Sequence, residues 1–234
     1  MVVSAAGDVF IAYPAADGIH YASRASGASA FSDELALADG KPPIALSVVG
    51  GAPSIAHSAD IGVRDAVKSG NTWLTTPILY GTMPASLPGQ GLDEALDAQN
   101  ARHLSHWDIA SGWLRYTENA SGSWNTVNVV DEGVAFSKPS AITVRDGYAY
   151  LSYAGPSSGA LRIASNRTGA FEVHDIDTDV DATIASHLPL ATDANGTNHA
   201  AADRHYFVGI QEHREVTHYT QAKSDGVDSG CNGE

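Results

Sequence analysis

The segment His106-Trp107-Asp108, followed by Trp113, sets two indoles on either side of a carboxylate. An indole at a loop edge stacks on the apolar face of a sugar ring, and a nearby carboxylate accepts hydrogen bonds from its hydroxyls. Trp107, Asp108, Trp113 and the acidic residue Glu132 are therefore candidate ligand-binding residues. The opposing reading is that one or both indoles only pack in the core. The same stretch also offers acid–base chemistry. Paired carboxylates about 5–10 Å apart cleave glycosidic bonds, and Asp108, Glu132 and Asp179 are available for such a pair. His106 with Tyr153 is the alternative acid–base couple.

A second group is the run "HDIDTDVD", with Asp175, Asp177, Asp179 and Asp181. Alternate carboxylates converge on hard cations such as Ca²⁺. The glycine and distal glutamate of an EF-hand loop are missing, so an acidic loop without a metal competes with a calcium site. His199, His205, His213 and His218 crowd the last part of the chain without a compact zinc spacing. The single cysteine, Cys231, excludes an internal disulfide and leaves a bond to another chain open.

These residues sit on a repeated frame. The phrases "IHYASRASGASAF", "VRDAVKSGNTW", "LRYTENASGSW" and "LRIASNRTGAF" share one cadence, with Tyr21, Asp65, Tyr116 and Ile163 in equivalent places. "THYT" is a weaker fifth copy around Tyr219. A second phrase precedes each copy: "FIAY", "SIAH", "HLSH", "YLSY" and, loosely, "FVGI" at 207–210. An aromatic residue (Phe31, Trp73, Trp124, Phe171) follows each of the first four. Alternation with period two and Gly, Asp, Asn and Ser at hairpin intervals mark strands. The one helical-looking stretch, 92–101, falls where the first strand of a unit belongs.

Four short strands per unit of about 47 residues, five times over, predict an all-β protein: a five-bladed β-propeller with four antiparallel strands per blade. The repeats run roughly 1–38, 39–80, 81–131, 132–178 and 179–223, as one domain, with a flexible acidic tail at 224–234. The last unit reads as lacking its outer strand. The Val216–Lys223 edge is then a template on which a strand of another chain pairs. Trp73, Trp124 and Phe171 are expected to be buried as plugs between blades. The basic residue at one repeat position (His20, Arg64, Arg115, Arg162, His218) is expected to form salt bridges between blades. Trp113 replaces the small residues Gly18, Gly62 and Ala160 of the other copies.

"VFIAYPAADGIHYASR" and "LRYTENASGSWNTVNVVD" resemble the degenerate sialidase-type (BNR-like) β-propeller repeats of bacterial secreted proteins. The strict Asp-box, Ser-x-Asp-x-Gly-x-x-Trp, is not present; "SGNTW" and "SGSW" keep its glycine and tryptophan. The resemblance implies architecture and leaves the chemistry open.

Charge narrows the function. The chain of 234 residues carries 27 acidic and 13 basic side chains, a net charge of −14. Such a surface repels nucleic acid, which needs a positive field. No stretch approaches the roughly 20 apolar residues of a membrane span. The acidic balance suits neutral ligands, cations or a saline medium. The leading expectation is an extracellular or periplasmic carbohydrate-binding module. The alternatives are a glycoside hydrolase or polysaccharide lyase, and an assembly subunit that docks another chain.

Overall fold

The computed structural model describes residues 1–59, 62–79, 91–108, 111–130, 139–155, 160–177, 183–184, 188–193, 197–208, 211–221 and 232–233. Among them every regular element is a strand, and the strands form antiparallel sheets in chain order. The first sheet holds β1 (Val2–Val3), β2 (Val9–Ala15), β3 (Gly18–Arg24) and β4 (Ser32–Leu37). The second holds β5 (Lys41–Val49), β6 (Ala52–Ala59), β7 (Gly62–Ser69) and β8 (Thr72–Leu79). The third holds β9 (Leu92–Leu96), β10 (Arg102–Asp108), β11 (Trp113–Glu118) and β12 (Asn125–Val130). The fourth holds β13 (Ser140–Arg145), β14 (Tyr148–Ala154), β15 (Leu161–Ser165) and β16 (Glu172–Asp177). In the fifth, β17 (Thr183–Ile184) and β18 (Leu190–Thr192) both pair with β19 (Asn198–Val208), followed by β20 (Gln211–Gln221) and β21 (Asn232–Gly233). Four-stranded antiparallel meanders repeated along an all-β chain are the blades of a propeller-type fold.

The chain divides into two compact units, Met1–Gly89 with the first two sheets and Gln90–Glu234 with the others. In each, the third strand of a sheet sets the packing, because its side chains alternate between faces. In β3, Ile19 and Tyr21 are buried while His20 between them is not. The same alternation places Leu114 and Tyr116 inward around Arg115 in β11, and Leu161 and Ile163 around Arg162 in β15.

In the first unit Ile19, Tyr21, Leu37, Ile55 and Ala66 form the core between the two sheets, with Trp73 packed on its edge. The Trp73 ring meets Tyr21 edge-on, centroids 5.4 Å apart. Its Nε1–H donates to Glu34 Oε1 at 2.9 Å, and Lys68 Nζ donates to the same oxygen at 2.6 Å. The plug on β8 is thus pinned to β3 by an aromatic contact and to β4 by a charge-assisted bond.

In the second unit the core between the third and fourth sheets contains Trp107, Leu114, Tyr116, Ile142, Leu151 and Tyr153, with Phe171 against it. Phe171 meets Tyr116 edge-on at 5.2 Å, repeating the Trp73–Tyr21 contact. Asp93 Oδ2 accepts the Ile142 backbone N–H at 2.9 Å and so bridges β9 to β13. Burial pushes the Asp93 carboxyl up from its ordinary range. A further core of Ala154, Leu161, Leu188, Ala200 and Tyr219 lies between the fourth and fifth sheets.

Several expectations are corrected. Trp73, Trp124 and Phe171 are only partly buried. Trp124 lies under the Arg102 guanidinium of its own sheet, 5.4 Å from the ring centroid, and Phe31 is 42% exposed. The fifth copy of the upstream phrase is misplaced at 207–210. His218 stands opposite Ala201 as His20 stands opposite Tyr13, so the equivalent segment is Asn198–Ala201, in a hairpin longer than those of the other sheets. The outer position of the fifth sheet is filled by the chain itself: Asn232 and Gly233 pair with Thr220 and Tyr219. Cys231 lies outside the described residues.

Trp73→Ala should lower the unfolding free energy of its unit by about 3 kcal/mol, through lost contact and a partly filled cavity. Phe31→Ala, at the same repeat position but exposed, should cost less than about 1 kcal/mol. Denaturant unfolding monitored by fluorescence and circular dichroism measures both. Equal costs would contradict the inter-sheet role of Trp73.

Candidate functional site

The second and third strands of each sheet form a hairpin, and the pair of residues that closes its ladder differs between sheets. Ala15 faces Gly18 in the first sheet and Ala59 faces Gly62 in the second. In the fourth, the Gly155 N–H donates to the Ala160 carbonyl at 2.8 Å. A Cβ at Gly18 would lie 2.1 Å from the Leu37 carbonyl oxygen, so that position takes no side chain. In the third sheet the pair is Asp108 and Trp113. Among the hairpins of the first four sheets, only the third departs from small residues, and it does so with an acid and an indole together; the fifth closes on Val208 and Gln211.

Asp108 is 7% exposed. Its Oδ2 lies 2.5 Å from Arg115 Nη2 and accepts the Ser111 hydroxyl at 2.9 Å, while its carbonyl accepts the Gly112 N–H at 2.7 Å. The Arg115 guanidinium carbon stands 6.0 Å from the Trp113 ring centroid, within cation–π range. Arg115 Nε is buried and has no hydrogen-bond partner among the described residues. A buried donor left unsatisfied is costly, which makes it a place for an incoming acceptor.

A β-bulge recurs at this position. The pairing of third and fourth strands slips by one residue between Ile19 and His20, Val63 and Arg64, Leu114 and Arg115, and Leu161 and Arg162. Bulges bend a strand and re-aim its side chains, and they concentrate beside functional sites. Here each one immediately precedes the repeated basic residue.

Four of those basic residues, His20, Arg115, Arg162 and His218, find partners within their own sheets, which corrects the expectation of salt bridges between blades. Arg162 Nε donates to Asp175 Oδ1 at 2.6 Å. His20 lies between Asp17 Oδ1, 2.9 Å from Nε2, and Asp33 Oδ2, 3.1 Å from Nδ1. Tyr13 Oη donates to Asp33 Oδ1 at 2.9 Å. The bond to Asp33, then that to Asp17, raises the His20 pKa, and the same His20 bond lowers that of Asp33. In the fifth sheet His199 Nδ1 is 3.2 Å from His218 Nε2, and His199 Nε2 is 3.2 Å from Asp193 Oδ2. The signal available in sequence was an acid 13 residues after the base, as in His20–Asp33 and Arg162–Asp175, spanning the hairpin of the third and fourth strands.

The other predicted residues fall elsewhere. Trp107 is 4% exposed and meets Tyr153 edge-on at 6.2 Å, so its ring faces are spent on the core. His106 and Tyr153 are both 0% exposed. His106 Nε2 and Thr117 Oγ1 share a hydrogen bond of 2.9 Å, and burial pulls the imidazole pKa down to about 3. It is a neutral core histidine without access to substrate. His57, at the same repeat position, is likewise buried and held neutral. Asp175 is committed to Arg162; Asp177 lies in β16; Asp179, Asp181 and Glu132 lie outside the described residues. Among the described residues no group of three or more metal-ligating side chains converges. Gly155–Gly159 has the Gly-x-Ser-x-Gly spacing of hydrolase nucleophile elbows. It connects two strands, β14 and β15, instead of a strand and a helix, and residues 156–159 lie outside the described set.

Comparison with known proteins bears on the fold. No family model and no curated protein matches the sequence. Among solved structures, the chain is similar to a variant of AofleA from Arthrobotrys oligospora with three arginines replaced by alanine (TM-score 0.67, 13% identity, 100% of this chain and 71% of that one). It is similar to the polysaccharide lyase Uly1 (TM-score 0.56, 9% identity, 97% and 70%). It is also similar to a leech intramolecular trans-sialidase (TM-score 0.51, 11% identity, 84% and 36%). Sialidase and other propeller-type carbohydrate-active proteins are thus its structural neighbours, and at these identities the likeness defines a fold. Among the described residues no helix is long and apolar enough to cross a membrane.

His106 predicts an acid response. Its pKa lies below the ordinary value of 6.5 in the folded chain, so the unfolded chain takes up the proton first. The stability it lends is whole above pH 6.5 and drains as pH falls toward about 3, on the order of 5 kcal/mol across that window. His106→Asn should flatten the pH dependence of unfolding between pH 6.5 and 4. An unchanged slope would show that imidazole not to be the titrating group.

Proposed function

We propose that this chain is an extracellular carbohydrate-binding module whose five sheets close as the blades of one propeller, and that Asp108, Trp113 and Arg115 bind the sugar. The observation that carries this reading is the hairpin end of the third sheet. There an acid and an indole replace the small pair of the first, second and fourth hairpins, beside a guanidinium whose buried Nε has no hydrogen-bond partner among the described residues. A sugar ring needs those three contributions: an apolar face to stack on, an acceptor for its hydroxyls and a donor to its oxygens. Glu132, shortly after β12, remains a proposed contributor. Trp107 does not, because the core covers it.

Catalysis by His106 and Tyr153 lacks support, since both side chains are fully buried. Docking of a foreign strand on β20 is weakened by the chain's own β21. The acidic composition and the carbohydrate-active structural neighbours support the reading without specifying a ligand.

A glycan array with and without EDTA tests it, the chelator deciding whether Ca²⁺ takes part. Trp113→Ala should abolish the array signal while the melting temperature moves by less than about 2 °C, because the indole borders the ladder instead of filling the core. Retained binding with lost stability would make Trp113 a structural residue.

A further inference from the structure

We propose that the base–acid pairs of the first, third and fourth sheets are a set of equivalent sites selective for neutral, hydroxyl-rich sugar rings, and that they reject sugars carrying a carboxylate. The inference rests on the carbohydrate-binding reading above and adds to it two further sites and a ligand class.

Each cation in the set already has its counter-ion. Arg115 is 2.5 Å from Asp108, Arg162 is 2.6 Å from Asp175, and His20 lies 2.9 and 3.1 Å from Asp17 and Asp33. A sialic or uronic acid needs a cation with unspent charge, as an arginine cluster would supply. Here the incoming carboxylate would meet a fixed aspartate beside every base, and like charges at that separation repel. A neutral pair of adjacent hydroxyls has the opposite need: one donor and one acceptor side by side. The guanidinium or imidazolium donates to one oxygen, and the carboxylate accepts the proton of the other.

The fourth sheet shows that the pair is kept even when its residues are exchanged. At Gly155, near the hairpin end where the third sheet has Asp108, a Cβ would come 3.3 Å from Arg162 Nε. The acid that accompanies the base instead comes from the fourth strand, as Asp175. The first sheet reaches the same composition with an imidazole, and it adds an aromatic face: Tyr13, 38% exposed, has its ring 5.5 Å from that of His20. Tyr13, His20 and Asp33 thus parallel Trp113, Arg115 and Asp108. The second sheet departs, with Pro77 opposite Arg64, and is not one of the set. A net charge of −14 raises the same barrier to anionic ligands at long range.

Matched probes isolate the carboxylate: methyl β-glucoside against methyl β-glucuronide, and methyl α-galactoside against methyl α-galacturonide, titrated calorimetrically at low ionic strength. The methyl glycoside of N-acetylneuraminic acid serves as a further acid. The wild-type chain should prefer at least one neutral member to its acid counterpart by ~10-fold or more. Asp108→Asn keeps an acceptor and removes the charge, so it should narrow that ratio. Because Asp108 is buried and its loss strands Arg115, the exposed Asp175→Asn is the parallel variant, with melting temperature followed in both. A uronide or sialoside bound by wild type as tightly as its neutral counterpart, or a ratio unmoved in both variants, overturns the selectivity while leaving carbohydrate binding in place. No heat from any probe, together with a blank glycan array, overturns the carbohydrate reading and the selectivity with it.

Discussion

Burial of one face of the third strand against the following sheet, in the first, third and fourth sheets, is the constraint from which the remaining structure follows. Tyr21 against Trp73 and Tyr116 against Phe171 are the same edge-on contact made in separate units. Once Ile19 and Tyr21, or Leu114 and Tyr116, are committed to the core, the pleat leaves no freedom for the residue between them. His20, Arg115 and Arg162 therefore project from the opposite face in every sheet. A slip of one residue would exchange the faces and bury a guanidinium in place of an isoleucine or leucine. That penalty is what fixes the register.

The bulge works within this constraint. The fourth strand takes its extra residue just where the third strand passes from buried leucine, isoleucine or valine to the basic residue. The residues it skips, Ala36, Ile78, Val129 and Ile176, are all apolar. The bulge thus occurs where an apolar side chain can be turned to the core without loss; the residue before it faces the base, and is Asn128 or Asp175 in the third and fourth sheets but Leu35 and Pro77 in the first and second.

Electrostatics are settled locally. A chain with 27 acidic and 13 basic side chains has few cations to place, and the described structure commits several of them to nearby carboxylates. Arg102 pairs with Glu94, Lys68 with Glu34, Arg115 with Asp108 and Arg162 with Asp175. The histidines divide by the same logic. His57 and His106 are enclosed and neutral, whereas His20 lies between two carboxylates that favour its charged form. Residue type alone does not separate them; their faces of the sheet do.

The sequence by itself determined the strands of the first four sheets, their grouping in fours and the places of the plugs Trp73 and Phe171, because period-two alternation and turn residues are local properties of the chain. It also marked Trp113 and Asp108 as departures from the repeat. It did not determine which polar residues meet. Trp107 and Trp113 look alike in sequence, yet one lies on the face shared with Tyr153 and the other beside Arg115. Arg115 reads as a structural repeat residue until its ion pair with Asp108, across the second and third strands, is seen. The fifth sheet was misread because its long hairpin shifts the second strand upstream, and the pairing of Asn232 and Gly233 is a contact across the chain that no local pattern announces. Those matters belong to tertiary structure, since cross-strand register and burial depend on residues far apart in the chain, and only packing chooses among the pairings that local chemistry allows.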